Sequence, residues 1–334
     1  MERAIIHSNL KKEEIQPDYL VKNYQALIEE DIQSLFPENM LKMSFCPVTN
    51  EKELSDTFSK FGMKYNISHS LGNIYLSPRP SEEVLKQYYH QSKARHFWLS
   101  ELWPLTKAIR SEKIILPQLE WVQGFMTQYF SNNYFKIGEF IPNHWGYACE
   151  IESIFPKSDY FIINPLYNSN LKTHLKGVDT SENVPEGNLD AVLLFEALDR
   201  TVNPRKLLEK VNDSLKPGGL CFITCLLSSG FEIQLLRERS SIFMPPERMN
   251  ILSFEGMSRL IEDSGVFELL EFSTPGVLDI PNVIEQLDKI ENSVFFKYVL
   301  KLRKDPTLVE SFQDFLQLNR LGTFGRLVLK KNKI

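Results

Sequence analysis

The chain has 334 residues, 43% of them hydrophobic, and a net charge of −5, so it can bury a core of two or three structural units. The acidic balance and the lack of clustered Lys and Arg argue against a broad nucleic-acid surface. No apolar run approaches the roughly 20 residues of a membrane span and no apolar signal core opens the sequence, so a cytoplasmic location is expected.

The first part of the chain is predicted to form three units. Apolar residues at helical spacing predict an amphipathic helix from Pro17 to Phe36 within an N-terminal helical segment, residues 1–40. Short strand and turn patterns then predict a small lobe, residues 41–80. Ser81, a typical N-cap residue, begins a helical connector rich in aromatic residues, residues 81–130.

Strand and helix patterns alternate over residues 131–334, which is typical of a parallel sheet covered by helices. This stretch is therefore predicted to be one α/β domain. A long helical insertion, residues 280–321, separates its last two strands. The strand candidates are Tyr134–Ile141, Asp159–Ile163, His174–Val178, Leu189–Leu194, Gly219–Leu226, Leu269–Ser273 and Arg326–Leu329.

The cysteines Cys46, Cys149, Cys221 and Cys225 show no pairing pattern. The last two fall in a predicted strand, where buried thiols behave as small hydrophobic groups. No disulfide is expected.

The strongest pattern of the chain runs from Leu189 to Arg200. Its apolar run predicts a strand buried on both faces, and Pro204 suits the first turn of the next helix. Pro217-Gly218-Gly219 then predicts a turn into the following strand. In order and spacing these pieces resemble the fourth strand, helix and fifth strand of class I S-adenosylmethionine-dependent methyltransferases. The resemblance implies a Rossmann-like, seven-stranded sheet and S-adenosylmethionine as cofactor.

Four further segments are similar to one bacterial branch of that family, which carries an N-terminal zinc lobe and includes nucleotide-sugar C-methyltransferases. The resemblance implies a glycan or nucleotide-sugar pathway. The segments are Ser229-Gly230-Phe231, Pro245-Pro246-Glu247-Arg248-Met249-Asn250, Ser253-Phe254-Glu255-Gly256 and Thr274-Pro275-Gly276-Val277-Leu278-Asp279.

The zinc lobe of that branch uses two Cys-x-x-Cys pairs, because a structural tetrahedral zinc takes four such ligands. Cys46 matches one of the four positions. The other three are occupied by Thr49, Ser68 and Leu71. One thiolate cannot hold a structural zinc, so no metal site is expected.

The family binds its cofactor at a glycine-rich loop after the first strand, where the backbone must approach the ligand without a Cβ in the way. Here Gly146 matches the last glycine, with Pro142 and His144 at the two preceding positions. A shift by one residue would make Glu139 the acidic residue of the motif. The three glycine positions are then held by Ile141, Asn143 and Trp145.

Three more positions match cofactor contacts of the family. Asn164 stands where an acid normally binds the ribose hydroxyls, and Asp179 stands near the expected adenine amine. Glu196 ends the fourth strand, and ligands of such sheets bind at the carboxyl ends of the strands. The candidate cofactor residues are Glu139, His144, Trp145, Gly146, Asn164, Asp179 and Glu196.

Asp199 and Arg200 are the candidate catalytic residues, because they stand where the branch commonly carries Glu-His. A histidine there suits general-base chemistry near neutral pH, whereas Arg200 cannot accept a proton. Arg248 likewise stands where a histidine is typical. Asp199, or Tyr88 or Tyr89 of the connector, could take this role in principle, although aromatic residues of such a connector more often belong to the core.

Three hypotheses follow, and the combined changes at the zinc positions, the loop and the base favour the first. It is a catalytically impaired methyltransferase-fold protein that acts as a structural or regulatory partner of a second copy or of an active paralogue. The second is an active methyltransferase with a remodelled pocket, in which Trp145 or His144 stacks on the cofactor. The third is a nucleotide-sugar-binding protein, in which Arg200 and Arg248 pair with phosphate.

Overall fold

The computed structural model describes residues 5–164, 178–181, 186–291 and 293–333. The strands are β1 (Leu41–Lys42), β2 (Leu54–Lys60), β3 (Met63–Ser68), β4 (Ile74–Leu76), β5 (Arg79–Pro80), β6 (Phe135–Phe140), β7 (Ser158–Ile163), β8 (Val178–Ser181), β9 (Leu189–Phe195), β10 (Leu215–Leu226), β11 (Asn250–Ile251), β12 (Phe267–Ser273) and β13 (Phe324–Lys331). The α-helices are α1 (Lys12–Ile15), α2 (Asp18–Leu35), α3 (Glu82–Gln91), α4 (Lys93–Phe97), α5 (Trp103–Arg110), α6 (Leu116–Tyr129), α7 (Gly146–Ile154), α8 (Ala197–Arg200), α9 (Pro204–Ser214), α10 (Phe231–Leu236), α11 (Phe254–Ser264), α12 (Asp279–Gln286), α13 (Val294–Lys297) and α14 (Pro306–Leu318).

A seven-stranded sheet with the order β12-β13-β10-β9-β6-β7-β8 forms the centre of the fold. The strands from β10 to β8 in that order run parallel, whereas β13 is antiparallel to both of its neighbours. The direction of the strand order reverses at β6 and β9, which is the place where such sheets bind ligands. The predicted α/β, Rossmann-like sheet of the class I methyltransferase type is confirmed.

The predicted strands agree with the observed ones to within a few residues, with two exceptions. The third candidate, His174–Val178, meets β8 only at Val178, and residues 174–177 lie outside the described residues. The predicted separate turn at Pro217-Gly218-Gly219 is wrong, because β10 already begins at Leu215. The extra residues bulge out of the pairing with β9, and Gly218 takes a φ of +79° there.

The predicted helices are also present where local signals were strong. Helix α2 confirms the amphipathic helix of the N-terminal segment. The Ser81 hydroxyl accepts the Val84 N–H at 3.4 Å and caps α3 as predicted. Two π-helical turns, Trp98–Leu102 and Ser111–Ile115, join α4, α5 and α6 into one helical run. The insertion at 280–321 is mainly helical, with α12, α13 and α14.

A second sheet, with the order β11-β4-β3-β2, forms the small lobe. Its edge strand β11 follows β9 and β10 of the large sheet in the sequence. It pairs antiparallel with β4, and Asn250 lies opposite Tyr75. Met249 and Ile251 bury their side chains in the same apolar cluster as Tyr65. The division of the chain at residues 40, 80 and 130 stays a prediction.

Two further observations concern the chain as a whole. Within the described ranges, every helix is too short or too polar to cross a bilayer. All four cysteines are free thiols, and Cys46, Cys221 and Cys225 are buried whereas Cys149 is exposed.

Candidate functional site

The loop that joins β6 to α7 lies at the carboxyl edge of the large sheet. Ile141 opens this loop with a φ of +53°, a left-handed conformation that β-branched residues rarely adopt. Its N–H donates to the Ile163 carbonyl at the end of β7, at 2.9 Å. Such a conformation persists only where the surrounding packing fixes it. The loop is therefore held by its contacts and not by glycine freedom.

Aromatic side chains of the connector cover this loop. The His144 ring stacks between Trp103, with ring centroids 4.4 Å apart, and Tyr147, at 5.4 Å. Arg95 of α4 donates a hydrogen bond to the Asn143 carbonyl. Trp145 is only 8% exposed and packs in the same apolar cluster as Ile115. His144 and Trp145 thus make contacts within the protein that the second hypothesis assigned to a cofactor.

Gly146 has a packing role at the first residue of α7. A Cβ added to it would lie 2.5 Å from Ile115 Cδ1, 2.8 Å from Trp103 Cη2 and 2.9 Å from His144 Nδ1. These distances are far below van der Waals contact, and the two rings cannot move aside easily. Close packing of the connector on the loop is sufficient to require glycine here.

Gly146→Ala is accordingly expected to lower the free energy of unfolding by about 1–3 kcal/mol, the usual cost of overpacking a closed site. Urea denaturation followed by circular dichroism measures it. The matched control is Gly124→Ala in α6, where an added Cβ meets no heavy atom within 4 Å. Alanine is the better helix former, so the control should raise stability by up to about 1 kcal/mol. Equal effects of the two substitutions would contradict the packing role.

The imidazole of His144 is neutral at physiological pH. Burial, together with the nearby positive charges of Arg110, Arg95 and Arg200, lowers the pKa of His144 to about 3. Its Nδ1 accepts the Gly146 N–H at 3.0 Å, so the ring proton sits on Nε2. His144 is therefore a neutral stacking partner for the tryptophan and not a positively charged contact.

Glu139 is a buried acid inside β6, with 2% exposure. Its carboxylate accepts the hydroxyl proton of Tyr160 at 2.7 Å. Burial raises the pKa of Glu139 to about 8, although the Tyr160 hydrogen bond opposes the shift. At neutral pH this carboxyl group is therefore mainly protonated.

The remaining cofactor candidates differ in how they are placed. Asn164 follows β7, is exposed and has a φ of +50°. Asp179 lies in β8 opposite Phe161, and its side chain is outside the described residues. Glu196 follows β9 with a φ of +55°, and its N–H donates to the Thr224 carbonyl at 2.7 Å. The sheet thus brings Asn164 and Glu196 to the same edge as the loop after β6.

A cluster of arginines and carboxylates lies beside Glu196, and we call it the arginine–carboxylate cluster. Arg248 donates to Glu196 at 2.7 Å and to Asp199 at 2.8 Å. Arg200 donates to the same Glu196 oxygen at 2.8 Å. The members, whose side chains are 14% exposed or less apart from that of Glu196, are Arg95, Glu196, Asp199, Arg200, Glu247 and Arg248.

The pKa values of two carboxyl groups in this cluster are shifted in opposite directions. Burial raises the pKa of Asp199 to about 7, against the attraction of Arg248. Burial also acts on Glu196, but Arg248 and Arg200 together hold the pKa of that carboxyl well below its usual range. Asp199 further accepts the Leu226 N–H at 3.2 Å and is 2% exposed. Its carboxylate is thus engaged in holding the loops together.

The cluster contains two residues that the sequence did not single out as site residues. Glu247 lies 3.7 Å from Arg200 Nε and 3.8 Å from an Arg95 nitrogen. Arg95 also stacks its guanidinium over Trp98, 4.9 Å from the ring centroid. The aromatic residues of the connector stand out in the sequence, but no sequence signal pointed to Arg95.

Cys46 and Ser68, two of the four positions compared with the zinc lobe, are linked through hydrogen bonds of Asn73. The Asn73 amide donates to the Cys46 sulfur at 3.4 Å, and its backbone N–H donates to the Ser68 hydroxyl at 2.9 Å. In the part of the chain that the structure describes, no group of three or more His, Cys, Asp and Glu side chains is placed to hold a metal ion.

Comparison with known proteins agrees with this architecture. Residues 136–271 match the family model of a methyltransferase domain, which spans β6 to β12. The chain is a methyltransferase-fold protein. The matched range holds the loop after β6 and most of the arginine–carboxylate cluster, whereas Arg95 and Trp103 of the connector lie outside it.

No curated protein sequence matches the chain. Among solved structures it is similar to a putative sarcosine dimethylglycine methyltransferase from Galdieria sulphuraria, with 15% identity, a TM-score of 0.41, and 74% of this chain and 91% of that one covered. It is also similar to phosphoethanolamine N-methyltransferase 2 from Haemonchus contortus, with 12% identity, a TM-score of 0.46, and 84% and 71% covered. The fold assignment rests on the sheet order and the family model, and not on these two similarities.

Proposed function

We propose that this methyltransferase-fold protein does not transfer methyl groups and acts as a structural or regulatory partner in a glycan or nucleotide-sugar pathway. The partner is a second copy or an active methyltransferase paralogue. The pathway is suggested by the segments between Ser229 and Asp279 that resemble the nucleotide-sugar branch.

One observation carries the proposal, namely the packing of connector side chains against the loop after β6. A ligand-binding loop of this kind needs open space beside its backbone. Here the space next to Gly146 is filled by Trp103 and Ile115, and the His144 ring is stacked between two aromatic rings. Opening the loop for a cofactor would separate well-packed aromatic surface.

The contacts of Asp199 also support the proposal. A general base must reach the proton that it removes. Asp199 is buried and bonded to Arg248 and the Leu226 N–H, and the neighbouring Arg200 cannot serve as a base. The same pairing weakens the nucleotide-sugar alternative, because Arg200 and Arg248 are already neutralised by carboxylates.

Isothermal titration of the purified protein with S-adenosylmethionine tests the proposal. Two or three lost contacts of about 1–3 kcal/mol each shift a micromolar site into the millimolar range. We therefore expect a Kd weaker than about 1 mM. Titration of Trp145→Ala in parallel examines the remodelled-pocket hypothesis, in which this substitution weakens cofactor binding. Binding of the unaltered protein in the tens of micromolar or tighter would overturn the proposal.

A further inference from the structure

A short helix of the insertion presents a group of large apolar side chains to solvent. It consists of α13 and the π-helical turn that continues it to Leu302. Val294 is 78% exposed, Phe295 67%, Tyr298 55% and Leu302 68%. Single exposed apolar residues are common, but a group on one helix marks an interaction site. We call this group the exposed apolar face.

The opposite side of the same helix is firmly packed. Phe296, Val299 and Leu300 belong to an apolar cluster that includes Phe312 of α14. The Phe296 and Phe312 ring centroids are 6.4 Å apart, and Phe315, 48% exposed, stacks parallel to Phe312 at 6.0 Å. The packed side of the helix therefore fixes the exposed apolar face towards solvent. The exposure does not result from unfolding of the helix.

The segment that carries this face is basic, whereas the chain as a whole has a net charge of −5. The segment from Val294 to Lys304 contains no acidic residue. Lys301 pairs with Asp288, and Arg303 lies 3.7 Å from Asp305. Among the described residues, no carboxylate lies within ion-pair distance of Lys297 or Lys304, so these two positive charges are available to a partner. The four basic residues of the segment are Lys297, Lys301, Arg303 and Lys304.

We propose that the exposed apolar face docks the protein on the surface of a membrane that contains anionic lipids. A short helix with aromatic and leucine side chains on one side and lysines beside them is the usual design of an interfacial anchor. Each basic group near an anionic bilayer adds attraction, and the apolar side chains enter the boundary between headgroups and acyl chains. The anchor lies in the interface and does not span the bilayer.

The same charges disfavour a second copy of the chain as the occupant. In a two-fold dimer the same patch meets itself, so the basic segment of one copy would face that of the other. Like charges brought together in this way oppose association. An anionic lipid surface carries the opposite charge and therefore attracts the basic segment.

Co-sedimentation of the full-length protein with vesicles tests this docking. We expect binding to vesicles of phosphatidylcholine with phosphatidylserine, and binding at least about tenfold weaker to pure phosphatidylcholine. High salt should weaken the binding, because it screens exposed charges. The variant Phe295→Ser with Leu302→Ser should bind at least about tenfold more weakly, since burial of one large apolar side chain is worth that factor or more.

The matched control is Leu105→Ser, which removes a 59% exposed leucine from α5 and should leave binding unchanged. Circular dichroism of each variant confirms that it is folded. Absence of binding to the mixed vesicles would overturn the proposal, as would equal binding of the double variant. A concentration-dependent dimer that the double variant abolishes, without lipid binding, would identify a second copy as the occupant and equally overturn it. None of these outcomes depends on whether S-adenosylmethionine binds.

Discussion

Arg248→Ala is expected to lower the free energy of unfolding by about 3–5 kcal/mol, the cost of leaving buried charge without its partner. Arg248 is bonded to both Glu196 and Asp199, and its own side chain is 14% exposed. Its loss leaves Glu196 bonded to Arg200, whereas the Asp199 carboxylate keeps, among the described residues, the Leu226 N–H as its hydrogen-bond donor. Urea denaturation at slightly alkaline pH, followed by circular dichroism, measures the change.

Two comparisons make this result specific. Arg259→Ala removes an ion pair with Asp263 of 2.7 Å whose arginine is 62% exposed, and such pairs contribute only about 0–1 kcal/mol. Arg248→Ala combined with Asp199→Asn should recover part of the lost stability, because the uncompensated carboxylate is then absent. If Arg248→Ala costs no more than Arg259→Ala, the arginine–carboxylate cluster does not stabilise the fold.

The pH dependence of this effect follows from the raised pKa of Asp199, about 7 with Arg248 in place. Without Arg248 the pKa of Asp199 should rise further, because the attraction that opposes burial is gone. Below that pKa the carboxyl group is neutral and needs no cation. The penalty of Arg248→Ala should therefore shrink as the pH falls from about 8 to about 5.5.

Glu139→Gln is expected to stabilise the protein at alkaline pH and to have little effect in mild acid. The pKa of Glu139 is raised to about 8 in the folded state from an ordinary value of 4.5. Between these values the folded state holds a proton that the unfolded state releases, so wild-type stability falls as the pH rises through this window. Glutamine does not titrate, and it can still accept the Tyr160 hydroxyl proton.

The difference between Glu139→Gln and wild type should grow with pH by about 1.4 kcal/mol per unit within the window, to a few kcal/mol near pH 8. Unfolding free energies measured at several pH values give this slope. Asp199 and Glu232 also have raised pKa values, both about 7, but they are present in both proteins and cancel. The control is Glu152→Gln at an exposed position of α7. If unfolding free energy depends on pH in the same way for wild type and Glu139→Gln, the pKa of Glu139 is not raised by folding.

The sheet was predictable because its signals are local. The seven residues of β9 are all buried, as their unbroken apolar run implied, and Asn203 caps α9 directly before Pro204. The bulge at the start of β10 was missed, because turn residues such as Gly218 do not reveal whether the pairing with the neighbouring strand resumes.

The candidate site was less predictable, because its residues come from distant parts of the chain. Sequence comparison found the changed loop from Ile141 to Gly146, but not that Trp103 and Arg95 of the connector pack on it. Similarly, Arg248 was noted as a substitution for histidine, whereas its pairing with Glu196 and Asp199 depends on the fold. Spacing along a sequence carries no information about such contacts.

The late position of β11 in the sequence affects when the sheet of the small lobe can be completed. The lobe formed by β2, β3 and β4 begins near residue 54, yet its sheet is completed only by Asn250 and Ile251. On the ribosome, β4 therefore keeps an unpaired edge until most of the chain has been synthesised. The N-terminal lobe is therefore translated early, but its sheet can be completed only after residues 250 and 251 have been synthesised.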